Sequence, residues 1–377
     1  MKIVQLTTVH RWDDVRIYHK ICSSLAAAGH DVHLVAPDPG TPEAPEPPDI
    51  SIHLLPASGS RPTRLLNAWR AVGVVRRIRP DVVHFHDPEL MPTAMVLRLL
   101  GIPVVYDVHE DLPEDILQKE WIAGALRRPM SLIARLSEWM FTRTAASAVV
   151  PVTEHIARRF PSSRTVVVQN YPLLGELLKP AGSGTGADSA PFVFIGGITR
   201  DRGGLQMIEA ASLAAEDGDS ILVDLVGPVV PPAFANELES AAKGTPARLV
   251  GTVSREQVGS LLSTARASFI LFHPAPNHIN AQPNKLFEAM SAGVPVIASD
   301  FPAWRRIVDG ERCGILVDPL DPAAIARAMR TVLENPDEAE SMGRRGRKAV
   351  EHRFNWESES ARLLDLYASL ERGDPIA

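Results

Sequence analysis

The chain has 377 residues, of which 45% are hydrophobic and 22% charged, and its formal net charge is -6. That length exceeds the usual size of one domain, the composition is that of an ordinary globular protein, and the acidic balance gives no global reason to expect a nucleic-acid partner. The two cysteines, Cys22 and Cys313, stand too far apart to suggest a disulfide framework or a zinc site, which fits a reducing compartment.

The opening M-K-I-V-Q-L-T-T has neither the long apolar region nor the small-residue cleavage site of a signal peptide. Nothing later approaches the apolar run that spans a bilayer, so the chain is expected in the cytoplasm, soluble or peripheral on the inner face of the membrane. K-I-V-Q-L-T predicts a strand, followed by a helix to about Ala28 and, after the Gly29-His30 turn, the strand D-V-H-L-V-A-P. The Pro-rich stretch from Pro37 to Asp49 reads as a loop. I-S-I-H-L-L-P, D-V-V-H-F-H, P-V-V-Y-D-V, A-S-A-V-V-P-V and T-V-V-V-Q-N are further β-branched runs of strand length, separated by helix-length segments. Such alternation predicts an α/β fold with a parallel sheet covered on both faces, a doubly wound domain over residues 1–172.

Residues 173–190 have linker composition. They include G-S-G-T-G-A, a formal match to a dinucleotide fingerprint, but no strand precedes it and no amphipathic helix follows, so it is rejected. A second α/β series fills residues 191–355: F-V-F-I-G-G, I-L-V-D-L-V-G, A-R-L-V-G-T-V, A-S-F-I-L-F, V-P-V-I-A-S and C-G-I-L-V-D. Two doubly wound, Rossmann-like domains facing across a cleft lined by strand ends are therefore expected, with an amphipathic helix over 356–372 closing the chain.

Several stretches carry candidate chemistry. In F-V-F-I-G-G-I-T-R-D-R-G-G, a strand runs into Gly196 and Gly197, a turn holds Arg200 and Arg202, and a helix follows. Free amides at a helix start and two forked guanidiniums suit phosphate oxygens, whereas the plainer reading is a strand-turn-helix corner with solvated arginines. In N-A-Q-P-N-K-L-F-E-A-M, Lys285 and Glu288 share a face near a helix start, where Glu288 either accepts from a ribose diol or favours the helix dipole. His86 and His109 stand at strand exits beside carboxylates, in H-F-H-D-P-E-L and Y-D-V-H-E-D, and suit contacts to sugar hydroxyls or phosphate. His33, His53 and His84 sit inside apolar runs and read as structural. Between Lys119 and Arg143, spaced tryptophans and arginines suit either a core-facing helix with solvated arginines, the commoner case, or a helix lying on an anionic membrane.

With these residues in place, the chain resembles the retaining glycosyltransferases of family 4 over nearly its whole length. G-G-I-T-R-D-R-G is similar to the family motif G-R-L-x-x-x-K-G, and Asn280 to Glu288 is similar to its E-x7-E motif. T-V-H-R-W-D-D-V-R-I, Y-D-V-H-E, Q-P-N-K-L-F-E-A-M and S-D-F-P-A-W resemble segments shared by a subset. The resemblance implies the GT-B fold and metal-independent transfer of a sugar from a nucleotide-diphosphate sugar, without cofactor, to a saccharide, lipid-linked or small-molecule acceptor. It implies that Glu288 binds the ribose, that Arg202 and Lys285 meet the diphosphate, and that His109 lies beside the transferred sugar. Gly196, Gly197, Arg200, Asn280, Gln282 and Asn284 complete the implied donor site, with Asp14, Arg16, His86 and Asp87 on the acceptor side. Two positions depart from the pattern: Gly197 replaces the motif's arginine, for which Arg200 is a candidate substitute, and Asn280 replaces its first glutamate. A catalytically silent nucleotide-sugar-binding protein and a nucleotide-sugar 2-epimerase of related fold remain alternatives.

Overall fold

β-Branched runs bounded by turn residues pair where both faces can be buried, and this places the strands. The computed structural model describes residues 1–40, 49–119, 121–177, 190–215 and 221–376. The G-S-G-T-G-A match and most of the Pro37 to Asp49 stretch lie outside the described residues. The first sheet contains β1 (Lys2–Leu6), β2 (Asp31–Pro37), β3 (Ile50–Leu55), β4 (Val82–Phe85), β5 (Val104–Val108) and β6 (Ala148–Pro151). They are parallel, in the order β3-β2-β1-β4-β5-β6, and β4, β5 and β6 are buried along their whole length.

The run T-V-V-V-Q-N, expected as a further strand, pairs with β6 only in part: Thr165 bridges Val149, Val166 N donates to Val149 O at 3.0 Å and Val168 N to Pro151 O at 3.1 Å, and Pro151 has no N–H with which to continue the ladder. Two of its backbone groups go to side chains instead: Arg16 Nη2 donates to Val168 O at 3.0 Å, and Gln169 N donates to Glu359 Oε2 at 2.8 Å. The expected first helix also differs. Residues Val15–Cys22 are π-helical and only Ser23–Ala27 are α-helical. The wider turn carries Arg16 and Lys20 inward, where Lys20 Nζ donates to Asn170 Oδ1 at 2.8 Å.

Right-handed crossovers place the helices Arg61–Ile78, Met91–Leu99 and Gly124–Thr144 on one face of this sheet. Ala68, Ala71, Val75, Ala94, Leu97 and Phe141 from these helices share one core with Val83, Phe85 and Tyr106. The helix Gly124–Thr144 meets the core through a stripe narrower than composition suggests: it buries Ser131, Glu138, Phe141 and Thr142 and turns most of its large apolar side chains outward. Periodicity counts apolar residues but does not say which stripe meets the sheet.

The second sheet contains β7 (Phe192–Ile195), β8 (Val223–Val226), β9 (Ala247–Gly251), β10 (Ala267–Ile270), β11 (Val296–Ser299) and β12 (Gly314–Val317). All six stand where the sequence places them, parallel, in the order β12-β11-β10-β7-β8-β9. In each sheet the strand order reverses between the first strand and the fourth, β1 beside β4 and β7 beside β10. Such switch points open a crevice at the strands' carboxyl ends.

The chain divides into two compact units, Met1–Asn170 with Trp356–Ala377, and Tyr171–Asn355. The first break falls before Tyr171 rather than after residue 172, because Tyr171 is buried against Phe287 and Phe354. The closing helix Trp356–Arg372 belongs to the first unit: Trp356 Nε1 donates to Ser24 Oγ at 2.8 Å, and the buried Tyr367 hydroxyl accepts from Gln5 Nε2 at 3.0 Å and lies 2.8 Å from His84 Nδ1. Tyr367→Phe leaves both partners buried without it, so urea denaturation of the first unit should show a loss of about 1–3 kcal/mol. An unchanged midpoint would show that this bond does not hold the helix in place.

Candidate functional site

In the second unit, β7 ends in a glycine pair because its exit has no room for side chains. Gly196 adopts φ +133°, and a Cβ there would fall 1.8 Å from Lys285 Nζ. The short helix Pro276–Ile279 and the helix Asn284–Ser291 follow β10, so the switch point brings Lys285 to the end of β7. Gly293, at φ +72°, stops the second helix: Gly293 N and Val294 N donate to Met290 O and Ala289 O at 3.0 and 2.9 Å.

Lys285 Nζ is hidden from solvent, has no hydrogen-bond partner, and lies 4.5 Å from the centroid of the Phe194 ring. Burial and then the charge of Arg202 bring its pKa down to about 7, against an opposing pull from Glu288. Arg202 Nη1 donates to Gly197 O at 3.3 Å, and its guanidinium lies 5.4 Å from the centroid of the Phe272 ring. Two cations therefore converge on the Gly196-Gly197 turn, which presents backbone only. This arrangement suits a multivalent anion.

The structure does not bring Arg200 into this group. Arg200 pairs with Glu237 on the helix Ala235–Ala242, and its guanidinium lies 4.6 Å from the centroid of the Phe234 ring. Arg202 instead occupies the space over Gly197, where a Cβ would come within 3.3 Å of Nη1. Glu288 does face a ligand-sized partner, but a protein one: its Oε1 accepts from Arg255 Nη1 at 2.6 Å, while Arg255 Nε donates to Glu176 Oε1 at 2.8 Å. Sequence reading passed over Arg255. Its signal was S-R-E-Q directly after β9, a capping box that starts the helix Arg255–Thr264 at a strand's carboxyl end. Asn280 ends the short helix Pro276–Ile279 and is half-buried, and Asn284 opens the next helix and is exposed. Between them Gln282 Oε1 is buried without a partner, in a loop pinned by Trp304 Nε1 donating to Ala281 O at 2.8 Å.

In the first unit the exits of β1, β4 and β5 collect Asp14, Arg16, His86, Asp87 and His109, as the sequence suggested. Their centre is Asp107, which that reading did not single out although it lies in Y-D-V-H-E. Asp107 is fully buried. Arg16 grips it with Nε and Nη2 at 2.9 and 2.7 Å, and its Oδ2 lies 2.9 Å from both His86 Nδ1 and His109 Nε2. Burial alone would raise its pKa, but the charges of Arg16 and His109 and both imidazole contacts hold it well below the carboxylate range. Burial pushes His86 and, further, His84 below the ordinary histidine value. Arg16 thus serves as an anchor through Nε and Nη2, while its Nη1 is buried without a hydrogen-bond partner.

Asp87 Oδ2 accepts from Thr8 N at 2.6 Å and Thr7 Oγ1 at 2.9 Å, which fixes the loop after β1. His10, also unremarked in the sequence, lies 3.4 Å from Asp14 and 3.6 Å from Asp87. Burial lowers its pKa, but those carboxylates outweigh it and leave the value raised; Asp14 falls below its usual range because His10 and Ile17 N outweigh its own burial. His84, His86 and Asp107 offer ligand atoms within 4.8 Å of one another, as a metal site would. Gln5 Oε1 already lies 2.9 Å from His86 Nε2 and Arg16 holds Asp107, so the group is committed to protein partners.

Comparison with known proteins gives a consistent picture. Residues 15–170 match the family described as glycosyl transferase 4-like domain, and residues 179–349 match glycosyl transferases group 1. The chain is 23% identical to a glycogen synthase of Mycobacterium tuberculosis (strain ATCC 25618 / H37Rv), over 95% of this chain and 91% of the relative. It is 28% identical to a GDP-mannose-dependent alpha-mannosyltransferase of Mycolicibacterium smegmatis, over 79% of each, and 25% identical to a phosphatidyl-myo-inositol mannosyltransferase of Mycobacterium leprae, over 77% of this chain and 74% of the relative. Among solved structures, a sucrose-phosphate synthase from Thermosynechococcus elongatus aligns with TM-score 0.79 at 20% identity, covering 99% of this chain and 100% of that one. WaaG, a glycosyltransferase involved in lipopolysaccharide biosynthesis, aligns with TM-score 0.71 at 15% identity, covering 97% and 99%. These structural likenesses show the fold, which is GT-B.

The lowered pKa of Lys285 sets a pH dependence for any anion bound at Gly196-Gly197. With the free lysine titrating near 7 and the bound one held protonated, binding takes up a proton above that pH. Affinity for a nucleoside diphosphate, measured calorimetrically in buffers of different ionisation enthalpy, should fall by up to roughly tenfold per pH unit above 7, with proton uptake approaching one. Proton release, or an affinity flat with pH, would place the anion away from Lys285.

Proposed function

The chain belongs to the group 1 glycosyltransferases of family 4, and from that premise we propose that it transfers a sugar from a nucleotide-diphosphate sugar with retention of configuration and without a metal. The observation that carries the proposal is the unpartnered Lys285 ammonium converging with Arg202 on the Gly196-Gly197 turn. In this reading the diphosphate lies on that turn, and its developing charge meets an ammonium, a guanidinium and backbone amides. These supply the positive charge that a divalent ion provides in other phosphate chemistry. Glu288 accepts from the ribose diol, exchanging or sharing its bond to Arg255.

The chemical step needs no dedicated protein base. The acceptor hydroxyl attacks the anomeric carbon from the side the diphosphate leaves, the carbon–oxygen bond to the diphosphate breaks, and the departing phosphate oxygen takes the hydroxyl proton. His109 Nε2 lies 2.9 Å from Asp107 Oδ2, so its other ring nitrogen is the one that this carboxylate leaves for a hydroxyl. Asn280 and Gln282 stand where sugar hydroxyls are read and supply neutral amides, each able to donate and accept. One relative is named for GDP-mannose and another for mannosyl transfer to phosphatidyl-myo-inositol, so GDP-mannose and a lipid-linked acceptor are the first pair to assay. A lipid-linked acceptor accords with peripheral membrane contact through residues 119–143.

Purified enzyme given a panel of nucleotide sugars should turn over at least one, and NMR of the product should show the donor's anomeric configuration. Arg202→Ala should lower kcat by about 10²–10³-fold, and Glu288→Ala should chiefly raise donor KM, with thermal unfolding of both variants close to that of the parent. Unchanged turnover in both would remove the donor-site assignment, and an inverted product would remove the same-side mechanism.

A further inference from the structure

We propose that the helices Arg61–Ile78, Met91–Leu99 and Gly124–Thr144 form a single membrane-contact surface that lays the first unit on an anionic bilayer. The crossovers β3 to β4, β4 to β5 and β5 to β6 put all three on the same face of the first sheet, and Thr93 Oγ1 donating to Ala68 O at 3.0 Å ties the second to the first. Each helix turns large apolar side chains away from the core. Trp69 is 57% exposed, Leu99 87% and Ile133 63%, and Leu65, Leu66, Met95, Leu132 and Trp139 join them. On the last helix the buried stripe is so narrow that apolar and cationic residues alternate around the outward surface.

Charge decides the occupant. The three helices carry five, one and four arginines in turn, and their one carboxylate, Glu138, is fully buried and paired with Arg159. The nearest outer carboxylates, Glu89, Glu114 and Asp115, face Arg64, Arg135 and Lys119. A chain of net charge -6 has therefore gathered cations on one face, while the closing helix on the opposite face holds Glu357, Glu359, Asp365 and Glu371. A second copy docking through the same face would set arginines against arginines. A lipid surface with anionic headgroups matches both properties: the headgroups meet the guanidiniums, and the tryptophans and leucines enter the acyl boundary. Arg143, with its guanidinium 4.8 Å from the centroid of the Trp139 ring, has the paired geometry of such an interface.

The inference rests on the proposed function only in its use, which is to bring the enzyme to a lipid-linked acceptor; the binding test requires no turnover. The full chain is sedimented with vesicles of phosphatidylglycerol and phosphatidylcholine, or of phosphatidylcholine alone, at about 50 mM and about 500 mM salt. Binding is expected to the anionic vesicles, and to weaken at high salt and on neutral lipid. The double variants Trp69→Ser/Leu99→Ser and Ile133→Ser/Trp139→Ser lie on different helices, and each should lower partitioning about tenfold, with turnover of a soluble acceptor unchanged. The proposal is overturned if anionic vesicles are not bound, if only the second pair matters, or if the pairs dissociate a self-associated or acidic-protein complex instead. Vesicle binding without turnover of any donor would sink the enzymatic reading and leave the surface standing.

Discussion

Lys285 Nζ lies 1.8 Å from the place a Cβ on residue 196 would take, so the ammonium and any side chain there exclude one another. The same crowding continues behind the turn, where a Cβ on Gly227, at the exit of β8, would fall 2.2 Å from Gly196 O. Two adjacent strands thus end in glycine, each in a positive-φ conformation that other residues rarely adopt, and the backbone closes around a lysine that water no longer reaches. A buried ammonium beside a guanidinium is an unfavourable arrangement in the free protein, which is why the lysine's pKa has fallen to about 7. The Phe194 ring and the helical neighbour Glu288 relieve it only in part. An anion on the turn would remove the rest, which is the physical basis of the proposed diphosphate site.

The first unit handles buried charge in the opposite way. Asp107 is as deeply buried as any group in the chain, yet Arg16, His86 and His109 converge on it and the carboxylate stays ionised. A network in which both carboxylate oxygens are held by cationic or imidazole partners defines geometry more than it attracts a cation, although Arg16 Nη1 is left buried without a partner. Its chain of contacts runs through Gln5 to Tyr367, so the closing helix helps set the position of the histidines at the strand exits. One unit offers unbalanced positive charge, and the other a neutralised frame that leaves one imidazole nitrogen of His109 unengaged by Asp107.

The strands of both sheets were legible because parallel strands buried on two faces must be continuous β-branched runs, and such runs are scarce elsewhere in this chain. T-V-V-V-Q-N carries the same pattern but pairs with β6 only in part, because Pro151 has no N–H to give it and because Arg16 and Glu359, distant in sequence, take Val168 O and Gln169 N. The placement of candidate residues was legible where spacing fixed it, as with Lys285 and Glu288 one helical turn apart on the helix Asn284–Ser291. Arg200 and Arg202 were indistinguishable in R-D-R, since the turn between them is a single 3₁₀ stretch whose direction depends on Glu237, far along the chain. Arg255 and Asp107 were hidden for a related reason: their importance lies in pairs formed between elements distant in sequence, and one sequence does not display pairs. The outward face of the helix Gly124–Thr144 was equally unreadable, because its composition is the same whichever stripe meets the sheet.

Of the two departures from the family motifs, the fold compensates one. Glycine at 197 leaves the space that Arg202 Nη1 enters, so a single guanidinium covers the turn from the motif's later position. An arginine at 197 as well would crowd it and add a third positive charge beside Lys285 and Arg202. Asn280 has no such counterpart. A carboxylate at 280 would only accept hydrogen bonds, and it would add negative charge to a segment whose helix already carries Glu288, paired with Arg255. An amide both donates and accepts. Under the proposed function, the change bears on how sugar hydroxyls are read more than on whether the diphosphate is held.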